Sequence, residues 1–220
     1  MIYKPEFLEF LDDYLNLLTS RLTAASITFD EGGDSANYAN ALMFESNLKA
    51  IGYLFKSDVE ILRPDVIQQV AKLVDYDVND KGFRRTNVEV GGSNVERTKA
   101  KDIHMHIYSL LDSYYKIWPG MEDPYLREAY FHITFLHIHP FEDGNGRVAR
   151  ILTAYNLFKN GETPFVINRQ HKSEYVKLIE ESNYEGMAEL FRTLAKEETS
   201  ITMALYEKYY NHKEPPKNIN

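Results

Sequence analysis

Apolar residues recur along most of this chain at the three- and four-residue spacing of helices that bury one face. In the first such segment, between about residues 5 and 25, the apolar face comprises Phe7, Leu8, Leu11, Leu15, Leu18 and Leu22. The same spacing predicts further helices over residues 40–55, 64–73, 100–118, 124–138, 148–158, 173–182 and 186–210. The pattern therefore predicts an all-α protein.

One segment departs from the helical spacing. In "TNVEVGGSNVER", residues 86–97, Val88 and Val90 alternate with polar residues and are followed by the pair Gly91 and Gly92. Alternation is typical of a strand and paired glycines favour a tight turn, so the segment predicts a short β-hairpin. A lone hairpin is only marginally stable in water, and this one must therefore pack on the helices. A surface loop with some strand character remains the alternative.

Composition and charge limit the classes of partner. The 220 residues suit one compact domain, and 33 acidic against 25 basic side chains give a formal net charge of −8. That charge repels polyanions, so we expect no nucleic-acid partner and a phosphate site that is local. The absence of cysteine excludes disulfides and thiolate metal sites. With no signal-peptide pattern and no apolar run of membrane-spanning length, we expect a cytoplasmic protein without a membrane partner.

The segment "HPFEDGNGR", residues 139–147, concentrates the candidate chemistry. Gly144 and Gly146 flank Asn145 directly before a predicted helix. The first N–H groups of a helix have no acceptor within it and its dipole is positive there, so glycines at this point let an anion approach closely. Arg147 and Arg150, three apart on the first turn, add two guanidinium groups. Together these residues predict a phosphate site.

Two carboxylates stand beside this phosphate site. Glu142 and Asp143 would repel a phosphate unless a cation lay between them, and Mg²⁺ commonly binds one or two carboxylates together with phosphate oxygens. His139 supplies a group that accepts a proton near neutral pH, and the ring of Phe141 is predicted to be a buried anchor. The set is suited to transfer from a nucleotide phosphate to a hydroxyl group.

Other histidines suggest a different interpretation, in which "HMH" and "HIH" supply metal ligands. That arrangement requires strands, because residues two apart on a helix point about 200° from each other. His104 and His106 lie in a predicted helix and are interpreted as ordinary helix residues. His132 and His137 are likewise interpreted as structural.

Residues 139–150, "HPFEDGNGRVAR", resemble the signature of the Fic-domain family: HPF, any residue, Asp or Glu, GNGR, two residues, then Arg. Every fixed position is matched, and the resemblance covers about residues 35–195. It implies an all-α, Fic-type helical domain with a short β-hairpin flap. We expect a single domain over residues 1–210, with N-terminal helices in 1–55, the core in 56–198, the flap near 86–96, and a flexible tail in 211–220.

The resemblance implies a protein adenylyltransferase, which transfers AMP from ATP to a Ser, Thr or Tyr hydroxyl of a target protein or of itself and releases pyrophosphate. It makes His139 the general base and Asp143 the Mg²⁺ ligand. It assigns the nucleotide phosphates to Gly144, Asn145, Gly146, Arg147 and Arg150. Arg150 would meet the terminal phosphate, and Asn145 would also supply a side-chain donor. It implies that the flap residues bind the target by strand-like main-chain pairing; these residues are Val88, Val90, Gly91 and Gly92.

Two alternatives stay open beside this one. The phosphate site would equally serve transfer of another phosphate-linked group, such as UMP or a γ-phosphoryl group, or a nucleotide-binding regulatory module without turnover. The resemblance also leaves homo-oligomers open.

A control element of the family lies on a helix with Ser or Thr, three residues, Glu, then Gly or Asn. Its glutamate pairs with the last arginine of the motif. Here Ser35, Ala39 and Asn40 fall on those positions, and alanine stands in the place of the glutamate. "TLAKEE", residues 193–198, matches the spacing but lacks the Gly or Asn. We therefore expect an open site; an ordinary helix-forming alanine is the alternative.

Overall fold

The computed structural model describes residues 13–25, 38–56 and 59–211, and these residues are mainly helical. The first helix, α1, is described over residues 13–25. The others are α2 (Tyr38–Lys56), α3 (Pro64–Val74), α4 (Tyr76–Asn79), α5 (Ile103–Asp112), α6 (Pro124–Ile138), α7 (Asn145–Lys159), α8 (Lys172–Glu180) and α9 (Tyr184–Asn211). No strand occurs among the described residues. The prediction of a helical fold is confirmed. Ser35 and residues 212–220 of the predicted tail lie outside the described residues.

Helices α6 and α7 form the centre of the fold. Helix α6 packs against α5, α7 and α9, and α7 packs against α2, α3 and α6. Nearly every residue of α7 is buried, so its polar side chains need partners inside the protein. Two of them bond to α6: Thr153 Oγ1 lies 2.8 Å from His132 Nδ1, and Asn156 Nδ2 donates to Glu128 Oε2 at 3.0 Å. These bonds fix how the two helices sit against each other.

The predicted helix over residues 100–118 is interrupted. It starts with a 3₁₀ turn at Ala100–Asp102, and α5 gives way to a π turn at Ser113–Ile117 and a 3₁₀ turn at Trp118–Gly120. The wider π turn accommodates two adjacent rings that both bond inward. Tyr114 Oη donates to the buried Glu128 at 2.5 Å, and Tyr115 Oη accepts from Leu62 N at 2.6 Å. Spacing alone does not reveal such partners.

Residues 86–97, here called the flap loop, do not form the predicted β-hairpin. The loop does turn at the two glycines, where Gly92 has a φ of 78° and Ser93 N donates to Val90 O at 3.0 Å. Its following amides bond to side chains instead of to an opposite strand. Asn94 N donates to Glu180 Oε2 at 3.0 Å, and Val95 N donates to Ser93 Oγ at 3.2 Å. The alternative of a surface loop matches the structure.

Within the described part of the chain, no helix is both long and apolar enough to cross a membrane.

Candidate active site at the start of the central helix

A short loop joins the end of α6 to the start of α7, and it is held by its own residues. His139 ends α6 in a left-handed conformation, with φ 51° and ψ 61°, and its N–H donates to Phe135 O at 3.0 Å. Phe141 is fully buried, which confirms the predicted anchor. Asn145 bonds twice to the backbone of Phe141, accepting from its N–H at 3.0 Å and donating to its carbonyl at 2.8 Å. The Asn145 amide thus holds the loop together, and its role as a donor to a ligand stays a prediction.

The start of α7 offers backbone donors to an anion. Gly144 precedes the helix with a φ of 75° and has no side chain to cap it. A Cβ atom on Gly144 would lie 3.1 Å from Val74 Cγ1, and one on Gly146 would lie 3.3 Å from Arg150 Nη1. Arg150, only 4% exposed, therefore turns its guanidinium back towards the first turn of α7. Bare amides, a positive helix end and a guanidinium meet at this point, a combination suited to phosphate.

Arg147 lies on the same turn but also contacts the end of α3. Its Nη1 donates to Val74 O at 3.5 Å, and its Nη2 lies 3.7 Å from Asp75 Oδ2 and 3.5 Å from Asp143 Oδ2. Sequence reasoning missed Asp75, because a single carboxylate after a helix carries no recognisable pattern.

The two carboxylates of the motif face different ways. Asp143 Oδ1 accepts from Gly144 N at 2.6 Å, and its side chain is 66% exposed at the helix start. Glu142 instead accepts from Thr86 Oγ1 of the flap loop at 2.8 Å. No cluster of three or more His, Cys, Asp or Glu residues occurs in the described part of the chain. Of the two carboxylates in the motif, Asp143 is the one that lines the cavity at the helix start.

His139 is held as a neutral base. Its Nδ1 lies 3.4 Å from Leu136 O, and because a carbonyl only accepts, the proton belongs on Nδ1. Nε2 then carries the lone pair. Burial, and secondly the nearby Arg97, lower the pKa of His139 from 6.5 to about 4. At neutral pH the imidazole is therefore uncharged, so the lone pair of Nε2 is present, although the lowered pKa makes it a weaker base than an ordinary histidine.

Most of these groups line one cavity of about 520 Å³, whereas Glu142 and Arg150 are not part of its lining. Its lining from the motif comprises His139, Asp143, Gly144, Asn145, Gly146 and Arg147, and other elements add Met43, Asp75 and Val90. The predicted flap residue Val90 thus reaches the motif. Val88, Gly91 and Gly92 line a separate cavity of about 970 Å³ along the flap loop.

The segment predicted as a control element begins α2. The backbones of Ala39 and Asn40 lie in its first turn, whereas their side chains and Ser35 are outside the described residues. Helix α2 packs against α3 and α7. Residues 39 and 43 are four apart on this helix and share a face, and Met43 lines the motif cavity. In residues 193–198, the other segment with the spacing of the control element, Glu197 is exposed. Glu198 there accepts a hydrogen bond from Arg21 of α1 at 2.8 Å.

The remaining histidines match their interpretation. His104 and His106 are exposed on α5. His132 is fully buried and bonds Thr153 and Tyr175 Oη, the latter at 2.6 Å. His137 Nε2 bonds Ile179 O at 3.0 Å.

Arg84 was missed by sequence reasoning and organises the loop beside the base. It is 3% exposed, and its guanidinium donates to four carbonyl groups. The bonds to His139 O, Ile138 O and Thr86 O measure 2.7, 3.3 and 2.5 Å, and the fourth is to Thr98 O. Arg84 therefore ties the end of α6 to both ends of the flap loop. An arginine in the loop sequence "FRRT" gives no signal of this role.

We expect Arg84→Met to lower the free energy of unfolding by about 2 kcal/mol or more, because it leaves buried carbonyls without donors. Urea unfolding followed by circular dichroism measures the change. Arg85→Met is the matched control, since Arg85 is exposed. Equal stability of the two variants would contradict the role given to Arg84.

Residues 61–157 match the model of the Fic/DOC family. Among curated proteins, the chain is 33% identical over 135 residues to a protein adenylyltransferase Fic of Culex quinquefasciatus, covering 56% of this chain and 24% of that protein. It is 26% identical over 208 residues to a protein of the same name from Aedes aegypti, covering 87% and 37%. The matched part of the chain thus spans 24% of the length of the first relative and 37% of the second.

Solved structures share the fold. A Fic-domain-containing signaling protein from Bacteroides thetaiotaomicron has a TM-score of 0.72 at 17% identity, covering 96% of this chain and 94% of that one. Fic-1 from C. elegans has a TM-score of 0.69 at 16% identity, covering 97% and 68%. IbpAFic2 covalently tethered to Cdc42 has a TM-score of 0.61 at 19% identity, covering 88% and 72%.

Proposed function

Because residues 61–157 match the model of the Fic/DOC family, we propose that this chain is a protein adenylyltransferase. It transfers AMP from ATP to a Ser, Thr or Tyr hydroxyl of a target protein, of itself or of both, and releases pyrophosphate. The observation that carries the proposal is the cavity in which His139, a neutral base, faces the start of α7. The relatives named protein adenylyltransferase Fic support the same activity.

The transfer itself requires one group that accepts the proton of the hydroxyl and several groups that donate hydrogen bonds to the phosphates. The acceptor's hydroxyl oxygen attacks the α-phosphorus, and His139 Nε2 takes the hydroxyl proton. The bond from the α-phosphorus to the bridging oxygen breaks, and its electron pair leaves with pyrophosphate. The backbone amides at the start of α7, together with Arg147 and Arg150, hold the phosphates and offset their charge.

Asp143 is the residue that would hold Mg²⁺. Its carboxylate is the exposed one at the helix start, close to where the phosphates would lie. When bound, the ion neutralises phosphate charge.

The flap loop is proposed to dock the acceptor. Val90 reaches the cavity of the base, and residues 88–92 carry few bonds to the rest of the protein. The main-chain N–H and C=O groups of residues 88–92 can bond to an extended segment of the acceptor, as the groups of an edge strand do. The strand-like pairing would then form between the loop and the acceptor. The neighbour tethered to Cdc42 is consistent with a protein acceptor.

The test is a transfer assay with ATP labelled at the α-phosphate. We expect label in protein, on the chain itself or on an added acceptor, and mass mapping then identifies the modified hydroxyl. Label from the γ-phosphate alone, or from UTP in preference to ATP, would assign a different donor group. Absence of label despite ATP binding would instead indicate a regulatory module without turnover.

A further inference from the structure

Charged residues outside the motif tie the flap loop to the helices around the base. Glu180, the last residue of α8, accepts from Ser93 Oγ at 2.7 Å and from Asn94 N at 3.0 Å. Arg97, whose side chain is 5% exposed, donates to Ser93 Oγ at 2.7 Å and lies 3.7 Å from Glu180 Oε1. We call Ser93, Asn94, Arg97 and Glu180 the clasp.

The chemistry of the clasp requires a carboxylate at residue 180. Ser93 Oγ already accepts from Arg97 and from Val95 N, so its own hydrogen is directed at Glu180. The amide of Asn94 is a second donor. A glutamate meets two donors with two oxygens, whereas a glutamine would turn its NH₂ group towards one of them. The bond from Ser93, with those of its neighbours, holds the pKa of Glu180 below its ordinary value, so the carboxylate is ionised.

The clasp also reaches the base. Arg97 Nη1 donates to Leu136 O at 3.4 Å, and His139 Nδ1 lies 3.4 Å from the same carbonyl. The flap loop is thus positioned relative to the group that orients the imidazole. At the other end of the loop, Arg84 bonds Thr86 O and Thr86 bonds Glu142. Both ends are fixed and the glycine turn lies between them.

We propose that the clasp positions the acceptor: it holds residues 93–97 against α8 so that a docked acceptor segment lies beside His139. The inference rests on the proposed function, because docking presupposes a protein acceptor. Glu180 lies on α8, outside the cavity at the start of α7, so its loss changes acceptor binding and leaves ATP binding intact. Glu180 and Arg97 are therefore positioning residues.

The experiment compares Glu180→Ala with Glu181→Ala, a matched control because Glu181 is exposed and pairs only with Lys177 among the contacts seen. Kinetics use the acceptor identified in the labelling assay. For Glu180→Ala we expect the acceptor KM to rise about tenfold, with kcat and the Kd for ATP unchanged. Hydrogen exchange at Asn94 and Val95 should rise in the same variant.

A second pair of variants guards against misfolding of α8. Ser93→Ala should reproduce the higher acceptor KM, and Ser93→Thr, which keeps the hydroxyl group, should restore the wild-type value. An unchanged acceptor KM despite faster exchange would overturn the positioning role. Equal exchange in Glu180→Ala and Glu181→Ala would overturn the clasp itself. If the wild-type protein labels no acceptor, the proposed function fails, and exchange alone decides whether the clasp exists.

Discussion

Replacing His139 with alanine should lower the rate of AMP transfer by at least about 10²-fold, because it removes the imidazole whose Nε2 takes the hydroxyl proton in the proposed transfer. Binding of ATP should be unchanged, since the proposed phosphate site is formed by the start of α7 and does not include the imidazole. Initial rates with α-labelled ATP measure the first effect, and calorimetric titration with a non-hydrolysable ATP analogue measures the second.

The matched control is His106→Ala, because His106 is exposed on α5. It should transfer AMP at the wild-type rate. A His139→Ala protein that still labels its acceptor at a comparable rate would remove the base from the mechanism. A variant that also loses ATP binding would show that the residue acts through the shape of the loop.

The pH profile of kcat/KM tests the same residue. A base works when neutral, and burial with Arg97 and Arg84 nearby lowers the pKa of His139 to about 4, despite the opposing effect of Asp143. Because its pKa is lowered, the imidazole stays neutral down to a more acidic pH than an ordinary histidine does. The rate should therefore fall by half near pH 4 and not at the ordinary value of 6.5. Circular dichroism at each pH separates this loss from unfolding, and a midpoint near the ordinary value would contradict the assignment.

Replacing Ala39 with glutamate should suppress AMP transfer by tenfold or more. A tenfold lower rate corresponds to a loss of about 1.4 kcal/mol of transition-state stabilisation. Residue 39 shares a helix face with Met43, which lines the cavity, and α2 packs against α7, which carries Arg150. A carboxylate on that face would pair with Arg150 and take it from the terminal phosphate. The side chain of alanine has no such group, so the proposed state of the present chain is open.

Ala39→Gln provides the control for this prediction, because it adds nearly the same volume without the charge. Transfer by the glutamine variant should stay close to that of the wild type, and suppression by glutamate should weaken in high salt. Equal rates for all three proteins would show that residue 39 controls nothing. Equal suppression by glutamine and glutamate would assign the effect to volume.

The parts of the site that the sequence predicts are those that lie close together in the chain. Residues 139–150 span a helix end, a loop and a helix start, so spacing alone indicates their geometry. Arg84 and Glu180 act from distant elements through single hydrogen-bonding groups, and neither periodicity nor a motif marks them. The hairpin prediction was wrong for the same reason: Val88 and Val90 alternate locally, but the amide of Asn94 bonds to α8.

Arg84 and Glu180 fix the two ends of a loop whose middle, residues 88–92, is fastened to nothing else that the structure describes except by its own turn. Gly92 must stay, because its φ of 78° favours glycine, but the side chains of residues 88–91 make no hydrogen bond to either anchor or to the imidazole among the described contacts. In the proposed transfer, the choice of acceptor and the chemical step would then depend on different residues. Exchanging residues 88–91 while keeping Gly92 is the direct way to change the acceptor.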